Sequence, residues 1–276
     1  MRLTPKALEY FEQAAEICRR VGARQELALA LGHIANIHRQ QHNPGPIENY
    51  LKEAIAIYEK SGDLSGLAAV YGEYGCEYRK RGREQHRDKK QTEEALTIFT
   101  ESERYFRNGL DYAQRGGNTY READILVDLA LLEYYRYDAA RDEKYKATGK
   151  RYLDKAEKIA RKYHHVLWEG RSKEIRGDFD KIDGDLKSAF ITHYAEACIL
   201  LAPYSSARFH ETIERTQKAV HKLGEETAVP PEDLLHLLTN LIRVLEASGS
   251  AQLKDMINDC EAVSQYIEWR TSDENA

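Results

Sequence analysis

The residue clusters able to do chemistry in this chain are few, and spacing argues against each. GDFDKIDGD (177–185) gathers Asp178, Asp180, Asp183 and Asp185 as a calcium loop would. The alternate-position ligand pattern is missed, and Ala189 stands where the closing Glu belongs, so the segment reads as a polar turn with an Asp cap. His164 and His165 with Glu169 could ligate a metal across one helical turn, but no third ligand is in view. Cys18, Cys76, Cys198 and Cys260 are scattered singly, without CxxC pairing, against a zinc site or a disulfide framework. Cys76 and Cys198 lie on apolar stripes, where buried inert thiols are the common outcome. The run 79–90 packs Arg79, Lys80, Arg81, Arg83, Arg87, Lys89 and Lys90 against Glu84 and Asp88. It could meet nucleic acid or an acidic partner, or be a solvated loop. No GxxxxGK, GxGxxG, HExxH or Gly-x-Ser-x-Gly motif is present. The sequence predicts no catalytic residue, metal or cofactor.

Bulk charge agrees. Net charge is −5, which does not favour nucleic acid. It is unevenly shared: residues 183–276 hold 8 basic and 16 acidic side chains, residues 1–182 hold 33 and 30. No window approaches the ~18 apolar residues of a membrane span. The opening MRLTPKALEYFEQAAE is charged and amphipathic, unlike a secretory signal. A cytoplasmic protein is expected.

The elements that would position these residues are helices. Ala7, Phe11, Ala14, Ala15 and Cys18 recur at helical spacing, with Pro5 near the start and Gly22 after the last turn. Similar stripes fill 24–41, 48–60, 64–80, 91–115, 120–137, 149–163, 186–202, 205–223, 232–247 and 251–269. No segment alternates as a strand, so the expectation is all-α with about a dozen helices.

Internal repetition is the strongest signal. Residues 14–35 align with 54–75: Ala14 with Ala54, Ile17 with Ile57, Gly22 with Gly62, Leu27 with Leu67, Ala28 with Ala68, Gly32 with Gly72. A weaker copy runs from Gly109 to Ala130 through Tyr112, Gly117 and Ala123, and a fainter one from Ala156 through Trp168 to Gly177. The unit is a helical hairpin. Ala28, Gly32, Ala68 and Gly72 are expected to allow close approach, with Phe11, Leu31 and Tyr71 filling the space beside them. One hairpin cannot bury its apolar face, so neighbours must stack. Breaks fall at QQHNPGPIENY (40–50) and at 79–94, where the connection or both helices lengthen.

Ala7, Phe11 and Ala14, and Ala95, Phe99 and Ser102, resemble the second-helix signature of the tetratricopeptide repeat; Leu31, Gly32 and Ala35, and Tyr71, Gly72 and Gly75, resemble its first-helix signature. The 40-residue spacing exceeds the family's usual period, and Gly replaces its closing Pro. IYEKSGDLSGLAAVYGEYGCEYRKRG is similar to long-period repeats in the sensor regions of STAND-type signalling ATPases and in kinesin light chain and LGN-type adaptors. The resemblance covers roughly residues 1–180. It implies a right-handed superhelical solenoid of stacked antiparallel hairpins, followed by C-terminal helices over 181–276 with a sub-boundary near 224–231.

In such arrays the first helices line a concave groove. With Gly32, Gly72 and Val127 as equivalent positions, the groove presents Leu29, His33 and Asn36, then Ala69, Glu73, Cys76 and Glu77, then Arg121, Asp124, Asp128 and Leu131. The family's carboxylate clamp of Lys and Asn is not matched by Leu29 and His33. The acidic middle predicts a basic or amphipathic peptide or helix as ligand. The expected function is a non-catalytic protein-interaction scaffold or sensor, as the sensor part of a larger signalling or defence protein. Its partners would be another protein, other domains of a longer parent, or a second copy. An enzyme without a recognisable motif is a further reading, as is nucleic-acid binding through residues 79–90. Ala7, Phe11 and Ala14 mark a second helix with no first helix before it, so the 276 residues are expected to be a piece of a longer protein.

Overall fold

A computed structural model describes residues 5–41, 43–184, 193–201, 217, 231–247, 249 and 251–273. Every regular element among them is helical: α1 (Pro5–Val21), α2 (Arg24–Gln40), α3 (Ile47–Ser61), α4 (Leu64–Arg87), α5 (Thr92–Arg115), α6 (Thr119–Ala140), α7 (Glu143–Lys162), α8 (Val166–Ile182), α9 (Ala195–Leu201), α10 (Pro231–Ala247), a 3₁₀ turn (Ala251–Leu253) and α11 (Lys254–Asp273). The fold is all-α, and consecutive helices pack as hairpins. The expected helix over 205–223 lies almost wholly outside the described residues. None of the described helices is long and apolar enough to cross a membrane. The chain divides into two compact units, Met1–Ile159 and Ala160–Ala276.

The repeat is written first in its turns. Gly22, Gly62 and Gly117 all sit at φ between 65° and 74°. The next backbone N–H then reaches back to the preceding helix: Ala23 to the Cys18 carbonyl, Asp63 to Tyr58, Asn118 to Ala113, each at 2.9–3.0 Å. Left-handed geometry of this kind closes a helix and favours Gly, which has no Cβ to clash. Asp63 and Asn118 also cap the following helix, accepting from the N–H of Gly66 and Arg121 at 2.9 Å. The same turn recurs a fourth time with His164 at φ 57° in the glycine's place, and the His165 N–H bonding the Ala160 carbonyl at 2.8 Å.

Most of the break over 79–94 is helix, with only residues 88–91 left as the turn between α4 and α5. It prolongs both α4 and α5 to 24 residues. The two run antiparallel along a seam with matching steps of four, three and seven: Ala68, Gly72, Gly75 and Gly82 on α4, and Ala113, Gly109, Phe106 and Phe99 on α5. A Cβ at Gly75 would lie 2.5 Å from the Phe106 ring, and one at Gly82 2.5 Å from the Phe99 ring. Both phenyl groups are fully buried. Ser102 Oγ donates to the Gly75 carbonyl at 2.7 Å between these layers. Close packing therefore depends on Gly75 and Gly82. A Cβ on Gly32 would meet nothing within 4 Å, and one on Gly72 only Ile125 at 3.8 Å. Gly32 therefore borders no close contact, whereas Ala68 and Gly72 do allow close approach as expected: a Cβ at Gly109 of α5 would lie 3.1 Å from the Ala68 carbonyl oxygen and 3.3 Å from the Gly72 nitrogen.

In the first unit Leu27, Leu31, Ile34, Leu51, Leu67 and Val70 form one core across α2, α3 and α4. Phe99, Phe106, Ile125, Leu129 and Leu132 form another across α5 and α6. In the second unit the Tyr194 ring lies over Gly177, and its hydroxyl donates to Asp178 Oδ1 at 2.6 Å. Leu234, Leu238, Leu241 and Leu245 of α10 pack against Leu253, Met256, Cys260, Val263 and Ile267.

Candidate interaction surface

The first helices of successive hairpins are α2, α4 and α6, and the structure ties them together through residues that the sequence assigned to a groove. Arg39 Nη1 of α2 lies 2.7 Å from Glu73 Oε2 of α4 and also donates to the Glu73 carbonyl at 3.3 Å. Asn36 Nδ2 donates to the same carboxylate at 3.5 Å. One hairpin later the contact recurs: Arg79 Nη1 of α4 lies 2.9 Å from Asp128 Oδ1 of α6 and donates to the Asp128 carbonyl at 3.0 Å. Cys76, in the place of Asn36, donates its thiol to Asp128 Oδ2 at 3.3 Å. The equivalences Arg39–Arg79 and Asn36–Cys76 keep the 40-residue period. Glu73 and Asp128 stand 55 apart, the difference being the lengthened α4 and α5.

A second pair of bridges joins each second helix to the next first helix with the same step. Arg81 of α4 binds Glu48 of α3 at 3.0 Å, and Arg136 of α6 binds Glu103 of α5 at 2.7 Å. Arg81 also holds Glu77 at 2.8 Å, as Arg136 holds Glu133 at 2.8 Å.

The electrostatics follow from this pairing. Burial works against the Arg39 and Arg79 charges, yet the facing Glu73 and Asp128 carboxylates outweigh it and hold both guanidinium groups above their usual range. Burial, reinforced by the Asp128 charge, pushes the Cys76 thiol up to about 12, so it is no nucleophile at neutral pH. Arg136 is shared by two acids. Burial raises the Glu133 carboxyl to about 7 despite Arg136, with the Glu103 charge adding to the rise. Glu103 is also desolvated, but its hydrogen bonds from Arg136 and Arg107 hold it below the usual range.

The expected groove residues therefore divide. Glu73 and Asp128 serve the ladder between helices, Asp124 is bound by Arg121 at 2.7 Å, and Glu77 is only 2% exposed beneath Arg81. His33 stacks on Phe11 with centroids 4.7 Å apart, and Leu29 is 58% exposed. Ala69 and Leu131 remain half-buried on the same helices. The acids do not form an uncompensated negative stripe.

The basic run divides too. Arg79 and Arg81 make the bridges above; Lys80 Nζ donates to the Arg39 carbonyl; and Arg83 lies over the Tyr135 ring at 5.7 Å and donates to its hydroxyl. Arg87, Lys89 and Lys90 stay exposed around Asp88. A cleft of about 750 Å³, absent from the sequence reading, opens between the end of α2, the Pro44–Gly45 turn, the start of α3 and the last turns of α4. Its charged lining is balanced, with Arg39, Lys80, Arg81 and Lys89 beside Glu48, Glu77, Glu84 and Asp88. The Pro44-Gly45-Pro46 break was its only signal in the sequence.

No group of three or more His, Cys, Asp or Glu among the described residues is placed to hold a metal. Glu169 is bound by Arg161 at 2.7 Å, and His165 stacks on Tyr163. Asp180 lies 2.9 Å from His193 Nδ1, and Asp185 is outside the described residues.

Residues 2–60 match the tetratricopeptide repeat family. That match spans α1 to α3 and covers the first copy of the repeat and the opening of the second; with the recurring turns and bridges it supports a tetratricopeptide-repeat array. No curated protein matches the chain. The family is in general a protein–protein interaction scaffold.

Proposed function

We propose that the chain is a non-catalytic interaction module that holds a helix or peptide of a partner protein across α2, α4 and α6. The observation that carries this reading is the ladder Arg39–Glu73 and Arg79–Asp128, which fixes three successive first helices side by side before any ligand arrives. A preformed surface binds with little reordering. Because its acids are already matched by guanidinium groups, the expected ligand narrows from a basic or amphipathic segment to an amphipathic one, read by shape and apolar contact. The basic run favours nucleic acid poorly, since four of its seven cations are engaged within the fold. On the resemblance of residues 57–82 to long-period repeats, we read the module as the sensor part of a larger cytoplasmic signalling or defence protein.

The test is affinity capture from the native host, followed by titration of the captured protein. Ala69→Arg places a bulky cation on the surface without touching the ladder. It is expected to weaken binding at least ~10-fold, about 1.4 kcal/mol, at unchanged melting temperature. Unchanged affinity would refute the assignment of this face.

A further inference from the structure

The cleft beside the last turns of α4 holds a carboxylate oxygen that the described fold leaves unsatisfied. Glu77 lines the cleft and is 2% exposed. Its Oε1 accepts from Arg81 Nε at 2.8 Å, while Oε2 is buried with no hydrogen-bond partner among the described residues. A buried charged oxygen without a donor is costly, and most such oxygens in folded chains are met by a protein group, a water or an ion. Lys80 does not meet this one. Its Nζ donates to the Arg39 carbonyl, and the carboxylate it bridges to, Glu84, is 3.9 Å away.

The cleft exists because α4 outruns α2. The two begin at the same place in the 40-residue period, at Arg24 and Leu64, but α2 has 17 residues and α4 has 24. The difference carries α4 about 10 Å past the point where α2 stops. At about 750 Å³ the space has the size of a small-ligand site. Its even balance of charges counts a cation engaged elsewhere, since Arg39 is bound to Glu73, outside the cleft, at 2.7 Å. Without Arg39 the lining carries four acids against three cations. Pro44 and Ile47 add an apolar wall.

We propose that this cleft binds an aliphatic cation, an ammonium or guanidinium group on a methylene chain. The head donates to Glu77 Oε2 and supplies the positive charge that the lining lacks. The methylene chain lies along Pro44 and Ile47, as the stems of long basic side chains lie on apolar surface. The head reaches Glu77 past Lys80, whose flexible stem moves aside. The site is separate from the face around Ala69, and two sources carry the same chemistry: a basic side chain of a protein, or a free polyamine.

Isothermal titration of the full chain at ~0.15 M salt tests this with two probes, spermidine and N-acetyl-lysine-methylamide. Saturable one-to-one binding is expected, with a dissociation constant at or below ~1 mM. Binding of the lysine amide assigns the site to a protein side chain; binding of spermidine alone assigns it to a free polyamine. Glu77→Gln keeps an oxygen for Arg81 and should weaken binding at least ~10-fold without lowering the melting temperature. Lys80→Met, which removes the competing ammonium, and Lys89→Glu, on the exposed rim, should each tighten it by ~3-fold or more. Glu26→Gln, exposed at the start of α2, and Ala69→Arg should change nothing. Saturable binding of neither probe overturns the proposal and leaves Glu77 to an internal water. So does binding indifferent to Glu77→Gln and Lys80→Met, or binding weakened as much by Glu26→Gln.

Discussion

Two alanine substitutions on structurally similar first helices should act with opposite sign. Gly32 and Gly75 both lie inside helices, so Gly→Ala at either gains ~1 kcal/mol of intrinsic helix propensity. At Gly32 the new methyl meets nothing within 4 Å, and the gain should be kept. At Gly75 it would fall 2.5–2.6 Å from three atoms of the Phe106 ring. That ring is fully buried and cannot swing away. Overpacking of this kind costs ~1–3 kcal/mol, which outweighs the propensity gain. The Ser102 bond to the Gly75 carbonyl sits at the same crossing and would be stretched as α4 and α5 separate. The net expectation is ~0.5–1 kcal/mol more stable for Gly32→Ala and about 1 kcal/mol less stable for Gly75→Ala, taking the middle of the overpacking range. In melting temperature that is a rise and a fall of a few degrees, at ~2–4 °C per kcal/mol for a chain of this size. Urea unfolding followed by circular dichroism reads both. Combining Gly75→Ala with Phe106→Leu makes room for the methyl and should lose less than the two single changes together. A Gly75→Ala protein as stable as the parent, or a Gly32→Ala protein equally damaged, would refute the packing argument.

Three further outcomes follow from the ladder and its charges. A double-mutant cycle on Arg79→Gln and Asp128→Asn should show coupling of ~1–3 kcal/mol that changes little with salt, because both groups are mostly buried; coupling near zero would mean that the contact does not hold the helices. Glu133 titrates near 7 in the fold and near 4.5 when unfolded. Its stabilising effect is thus full below about pH 4.5 and lost as pH rises toward 7, so Glu133→Gln should gain on the parent by ~2 kcal/mol between pH 5 and 8; a pH-independent difference in urea midpoints would contradict it. Cys76, with its thiol raised to about 12, should resist iodoacetamide at pH 8 in the folded protein and react once unfolded, as peptide mapping would show.

Much of this architecture was legible because turns are local. Gly22, Gly62 and Gly117 announce left-handed caps from the sequence, and the register they define carries through to the bridges between hairpins. The fourth turn was harder to find, because His164 occupies the glycine's place. The long α4 and α5 were obscured by their composition: RKRGREQHRDKK looks like a solvated loop until Arg79, Arg81 and Arg83 are seen against Asp128, Glu48 and Tyr135. The role of the groove acids could not be read from one helix at a time. Glu73 and Asp128 look like ligand-binding charges on their own helices. Only stacking brings Arg39 and Arg79 against them. Gly75 and Gly82 were missed for the same reason, since nothing local says that a phenyl ring of the next helix lies against each.

The most direct measurement places a photo-crosslinking amino acid at Ala69 on α4 and, separately, at the exposed Thr97 on α5, and identifies the adducts formed in the native host. The account predicts one dominant protein adduct from Ala69 and none from Thr97. Adducts from Thr97 with none from Ala69 would contradict it.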